Sequence, residues 1–126
     1  MEEDHFRSKK ESELAGMLRR YALNFRHEYP VAIADRGQLR LYYPDFSLPA
    51  QGVIIEYSGL QGSAEYDRRT EHKRRVYSEL GMPVLFLAPD DFKGYWPSRI
   101  LDWMESVQLH RLECLLRAKK FSRAPS

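Results

Sequence analysis

Residues 42–59, YYPDFSLPAQGVIIEYSG, decide how the chain folds. Two apolar segments flank Pro49-Ala50-Gln51-Gly52, so the stretch reads as a hairpin of strands Leu39–Leu48 and Val53–Ser58. Each arm carries a carboxylate among apolar neighbours: Asp45 after Tyr42-Tyr43-Pro44, and Glu56 after Val53-Ile54-Ile55. With Ala50-Gln51 as the turn pair, Asp45 stands opposite Glu56, and opposed residues share one side of a sheet. A longer turn shifts the pairing by a residue but leaves the two acids close. Like charges so placed repel, and apolar surroundings strengthen the repulsion. Taken alone, Asp45 reads better as a turn or strand-edge acid and Glu56 as an outward-facing residue on a half-exposed strand. The opposed pair points instead to a shared divalent cation, because Mg²⁺ takes a few carboxylate oxygens and keeps several waters.

Upstream, Ser8-Lys9-Lys10-Glu11 has the pattern of a capping box, and Leu14, Met17, Leu18, Tyr21 and Phe25 recur at helical spacing behind it. Glu13 lies on the edge of that apolar stripe beside Met17. There a side chain either reaches into a site or snorkels harmlessly to water. Tyr29–Ala34 reads as a short strand and Asp35-Arg36-Gly37 as a turn.

Downstream, a second helix is expected over Glu65–Leu80, closed by Gly81. Its wheel gathers Tyr66, Thr70, Val76, Tyr77 and Leu80 on one side, with Lys73 in the middle and Arg69 near the edge. An ammonium on a core-facing stripe is unusual. Lys73 either snorkels past the tyrosines or reaches the paired acids, where a fixed cation would stabilise charge developing on a phosphate. Residues 83–88, PVLFLA, read as a strand buried on both faces, reached by a right-handed crossover. A third helix opens near Pro97 and carries Ile100, Met104, Val107 and Leu115 on one face. The order helix, three strands, helix, strand, helix gives an α/β class with a central mixed sheet flanked by helices.

At 126 residues the chain suits one domain, taken as residues 1–118, with 119–126 as a basic disordered tail. No apolar run approaches the roughly 20 residues that span a bilayer, and the charged start MEEDHFRSKKE has no signal-peptide core, so a cytoplasmic location is expected. The single cysteine, Cys114, excludes an internal disulfide, and His5, His27, His72 and His110 lack metal-ligand spacing. Neither a GxxxxGK[ST] nor a GxGxxG loop is present. Net charge is only +2, yet Arg68, Arg69, Lys73, Arg74 and Arg75 fall in one short segment. Such a cluster suits phosphate as well as a solvated helix face.

The Pro44-Asp45 pair, an apolar strand ending in Glu56 and a preceding helix bearing Glu13 resemble the PD-(D/E)xK nuclease superfamily. The likeness runs from Glu13 to about Leu87 and includes the element order. It implies a restriction-endonuclease-like αβββαβ core with an added C-terminal helix. It also implies Mg²⁺-dependent (or Mn²⁺-dependent) endonuclease activity on duplex or branched DNA, in repair, recombination, restriction or mobile-element processing. Carried over, Asp45 and Glu56 would be metal ligands, joined by the Tyr57 carbonyl, and Glu13 would support the metal directly or through water. Lys73 would position the nucleophilic water. Tyr66, Arg69, Tyr77, Arg68 and Arg74 would contact phosphate or support the site. One departure matters: the superfamily's lysine usually stands two residues after the glutamate, where this chain has Ser58, and Lys73 would replace it from the following helix. If it does not, a catalytically silent nucleic-acid-binding or partner-docking module is implied. The C-terminal helix, with Trp103 and the leucines around Cys114, is the surface expected to form a homodimer or dock a larger partner.

Overall fold

Ser8 opens the first helix, α1 (Lys9–Arg20), in a computed structural model that describes residues 6–59 and 64–122. Ser8 Oγ accepts the Glu11 N–H and Glu11 Oε2 accepts the Ser8 N–H, each at 3.2 Å, so the capping box is formed. Helix α1 buries Leu14, Ala15, Met17 and Leu18. It stops at Arg20, which leaves Phe25 of the expected stripe beyond the helix, where its ring meets Phe46 edge-on at 5.4 Å.

Among the described residues, six strands make two sheets. β1 (Arg26–His27), β4 (Phe46–Leu48), β5 (Val53–Tyr57) and β6 (Val84–Leu87) form a mixed sheet in the order β1-β4-β5-β6. β2 (Val31–Asp35) and β3 (Gln38–Tyr42) pair separately. Their turn, Arg36-Gly37, has φ of 53° and 75°. Two successive positive φ values are what a two-residue primed hairpin turn needs.

The β4–β5 register is Phe46↔Ile55, Ser47↔Ile54 and Leu48↔Val53, as the Ala50-Gln51 turn predicts. The single strand expected over Leu39–Leu48 is corrected. β3 ends at Tyr42 and β4 begins at Phe46 in the other sheet, with Tyr43-Pro44-Asp45 between them. Pro44, fully buried, has no N–H to give a ladder and fixes its own φ, so the chain turns from one sheet to the next there.

Helix α2 (Ala64–Glu79) connects β5 to the parallel strand β6. It ends in a Schellman closure: Gly81 has φ of 68°, its N–H donates to Ser78 O, and the Met82 N–H donates to Tyr77 O. β6 is an edge strand and only partly buried for most of its length. The strand buried on both faces is β5, whose neighbours β4 and β6 flank it and whose residues Val53 to Glu56 are all buried. Ile33 of β2, Ile54 of β5, and Val76 and Tyr77 of α2 form a shared core cluster. Leu80, expected on the same stripe, lies past the end of α2 and is exposed.

The chain divides into two compact units, residues 1–94 and 95–126. The first holds both sheets, α1, α2 and a 3₁₀ turn at Pro89–Phe92; the second is built on α3 (Trp96–Ser122). Ile100 and Met104 of α3 are buried, whereas Leu115, placed with them by helical spacing, is exposed. Helix α3 continues past Ala118, the end of the expected domain, to Ser122; residues 123–126 lie outside the described residues. No helix among the described residues is long and apolar enough to cross a membrane.

Candidate active site

Strand alternation puts Ile54 and Glu56 on the face of β5 that meets α2. Glu56 is therefore buried, 5% exposed, and its Oε1 accepts a hydrogen bond from Tyr77 OH at 3.1 Å. Continuing the β4–β5 register by one pair places Asp45 opposite it. Asp45 sits just outside β4, where its Oδ2 accepts the Tyr57 N–H at 2.7 Å. The two carboxylates line one cleft of about 620 Å³, together with Tyr57, Tyr66, Arg69 and Lys73.

Burial and then the Asp45 charge push Glu56 up to about 7, and a side-chain hydrogen bond to Asp45 acts in the same direction. The Lys73 ammonium and the Tyr77 hydroxyl pull against this without cancelling it. Glu56 therefore holds its proton to a higher pH than an ordinary carboxylate does. Burial, reinforced by Glu56, also raises the Tyr77 hydroxyl. Tyr57 is raised too, by burial first and by Glu11 next.

Helix α1 brings an acid to this cleft, but it is Glu11 and not Glu13. Glu11 precedes Leu14, Ala15 and Leu18 by three, four and seven residues, the spacing of the buried stripe, and is 4% exposed. Its carboxyl is raised by burial and by Asp45. Glu13 lies outside the cleft lining and contacts Lys10 at 3.5 Å. The capping-box pattern of Glu11 is legible in the sequence, and the spacing of the buried stripe accounts for its place in the cleft.

The remaining candidates separate. Tyr66 OH accepts from Ser58 Oγ at 3.3 Å, so Ser58 is tied to α2. Arg69 lines the cleft while contacting Glu65 at 3.3 Å. Arg68 belongs to an adjoining cleft. Arg74 is away from both, stacked 4.3 Å over the Phe86 ring.

A third acid, Asp35, is also buried. Asp35 Oδ2 accepts from Tyr42 OH at 2.6 Å and lies 2.8 Å from His72 Nε2. The Tyr42 and His72 contacts hold Asp35 below the usual carboxylate range, while burial and Asp35 push Tyr42 up to about 12. This network ties the β2–β3 hairpin to α2. Its signal was faint, since Asp35 reads locally as a turn residue.

Among the described residues no three Asp, Glu, His or Cys side chains stand close enough to cage an ion unaided. The donor set of the cleft is carboxylate oxygen, and an opposed pair of carboxylates is the number Mg²⁺ commonly takes from protein, with water completing its shell. A scan against protein-family models matches none of them, and a search of curated proteins finds no match at a significant level.

Proposed function

We propose that the chain is a metal-dependent DNA endonuclease of the PD-(D/E)xK type, with a restriction-endonuclease-like core. The observation that carries this reading is the opposition of Asp45 and Glu56 in a cleft that also holds Lys73. A bound Mg²⁺ or Mn²⁺ would polarise the phosphodiester and lower the pKa of a bound water.

The chain's own groups prepare the site. The Tyr57 N–H fixes Asp45, and the Tyr77 hydroxyl orients Glu56. Asp45, Glu56 and the Tyr57 carbonyl are the proposed ligands, with Glu11 supporting the ion through water from the cleft wall. Lys73, half-buried in α2, offers a fixed positive charge to the scissile phosphate and to the attacking water. Tyr66 and Arg69 bound the cleft where a phosphate would lie. Repair, recombination, restriction and mobile-element processing are the settings this activity suits, in the cytoplasm. Leu109, Leu112 and Leu116 recur at helical spacing and are exposed on α3, a surface suited to a second copy or a larger partner.

Plasmid, single-stranded and branched DNA incubated with Mg²⁺ or Mn²⁺ test the proposal. Cleavage that disappears in Asp45→Ala and Glu56→Ala supports it, and DNA binding without cutting at any metal concentration refutes it. The second outcome would favour a silent nucleic-acid-binding module, a reading that Ser58 at the usual lysine position specifically favours.

A further inference from the structure

Beside the acid cleft lies a second one, of about 720 Å³, between the β2–β3 hairpin and α2. Arg7, Asp45, Arg69 and Lys73 line both, so the two clefts are continuous. The second cleft is rich in cations. Arg7 is paired with Glu28 at 2.9 Å and Arg69 with Glu65. Arg36, Arg40, Arg68 and Lys73 make no ion pair among the described residues, and Arg40 donates only to the neutral Gln38 side chain. A groove with this surplus of guanidinium groups matches a chain of phosphates.

The same cleft has an apolar side. Leu41 and Tyr43 line it and are 59% and 55% exposed. Alternation along β3 puts Arg40 and Leu41 on opposite faces of the hairpin, so the cleft wraps around the strand. Duplex DNA keeps the faces of its bases stacked inside the helix. An exposed tyrosine among arginines instead suits an unpaired base, which stacks on the ring while its backbone follows the cations.

We propose that the cleft between the β2–β3 hairpin and α2 binds an unpaired stretch of nucleic acid. Its phosphates lie on Arg36, Arg40 and Arg68, one base stacks on Tyr43, and the strand leads toward Asp45 and Glu56. The inference rests on the nuclease reading for what happens at the far end of the strand, but not for the binding itself.

Fluorescence anisotropy with a labelled single-stranded oligonucleotide and its duplex, in chelator and at several salt concentrations, tests it. The single strand should bind the parent more tightly than the duplex. Arg40→Glu with Arg68→Glu should weaken single-strand binding at least tenfold. In the milder Arg40→Gln with Arg68→Gln pair, the slope of log affinity against log salt should fall by about 1.4, at roughly 0.7 per lost phosphate contact. Tyr43→Ala should weaken the single strand roughly tenfold and leave the duplex unchanged. Circular dichroism checks that these exposed-site variants fold. Equal binding of single strand and duplex, or no effect of Tyr43→Ala with heparin competing as well as DNA, overturns the proposal. Glu56→Gln separates the two readings. If this binding pattern holds in parent and Glu56→Gln but the parent cuts nothing, only the nuclease reading fails. If the parent cuts and the arginine pairs leave cutting and binding unchanged, only this inference fails.

Discussion

Glu56 should make the metal-free protein lose stability as the solution becomes more alkaline. Its carboxyl sits at about 7 in the folded chain against an ordinary 4.5. That difference corresponds to about 3 kcal/mol between the protonated and ionised forms. The folded state holds a proton that the unfolded chain has released, so stability is full below pH 4.5 and falls as pH rises through 7. Glu56→Gln removes the titration but not the hydrogen bonds. The amide oxygen still accepts from Tyr77, and the amide nitrogen donates to Asp45. The variant should therefore gain on the parent by up to about 3 kcal/mol between pH 5 and pH 8, or roughly 10 °C in Tm for a chain of this size. Urea denaturation of both proteins in chelator across that range measures it. Adding Mg²⁺ at pH 8 should recover much of the loss in the parent and nothing in the variant. Two stability curves that run parallel from pH 5 to pH 8 would refute the burial and repulsion assigned to this pair.

Lys73→Met should abolish DNA cleavage and, by removing a charge that lowers the Glu56 carboxyl, move its NMR titration upward from about 7. Unchanged cleavage and titration would remove Lys73 from the site. Tyr42→Phe deletes the largest influence holding Asp35 down. Asp35 stabilises the fold above its unfolded pKa and loses that contribution as pH falls, so the variant should begin acid unfolding at a higher pH, read by circular dichroism. Gly81→Ala forces a Cβ into φ of 68° and should cost about 1 kcal/mol in urea denaturation, with helix α2 still formed.

The β4–β5 register and the end of α2 were legible because they rest on local chemistry. The Pro49–Gly52 turn and alternating apolar residues set Phe46 against Ile55, and Gly81 closed α2. Other features depend on what packs against what. Pro44 interrupts an apolar stretch that otherwise reads as one strand, and only the separate sheets show where each half goes. The apolar run ending at Leu87 reads as a doubly covered strand, but its place at the sheet edge comes from strand order. Glu11 and Glu13 look alike as acids on one helix; two residues of helix separate them by about 200°. Lys73 was legible as a misfit on its helix, while its proximity to Glu56 is tertiary. The Asp35–His72 contact spans 37 residues and left no local trace.

The capping box gives the cleft a way to be heard at a distance. Glu11 uses one oxygen, Oε2, to hold the Ser8 N–H while its carboxyl faces Asp45. A cation that drew this carboxylate inward would release that N–H, and the first turn of α1 would fray. Occupancy of the cleft would then be recorded as faster amide hydrogen exchange at Ser8. Arg7, the neighbouring residue, lines both clefts, so the same loosening would reach the boundary between them.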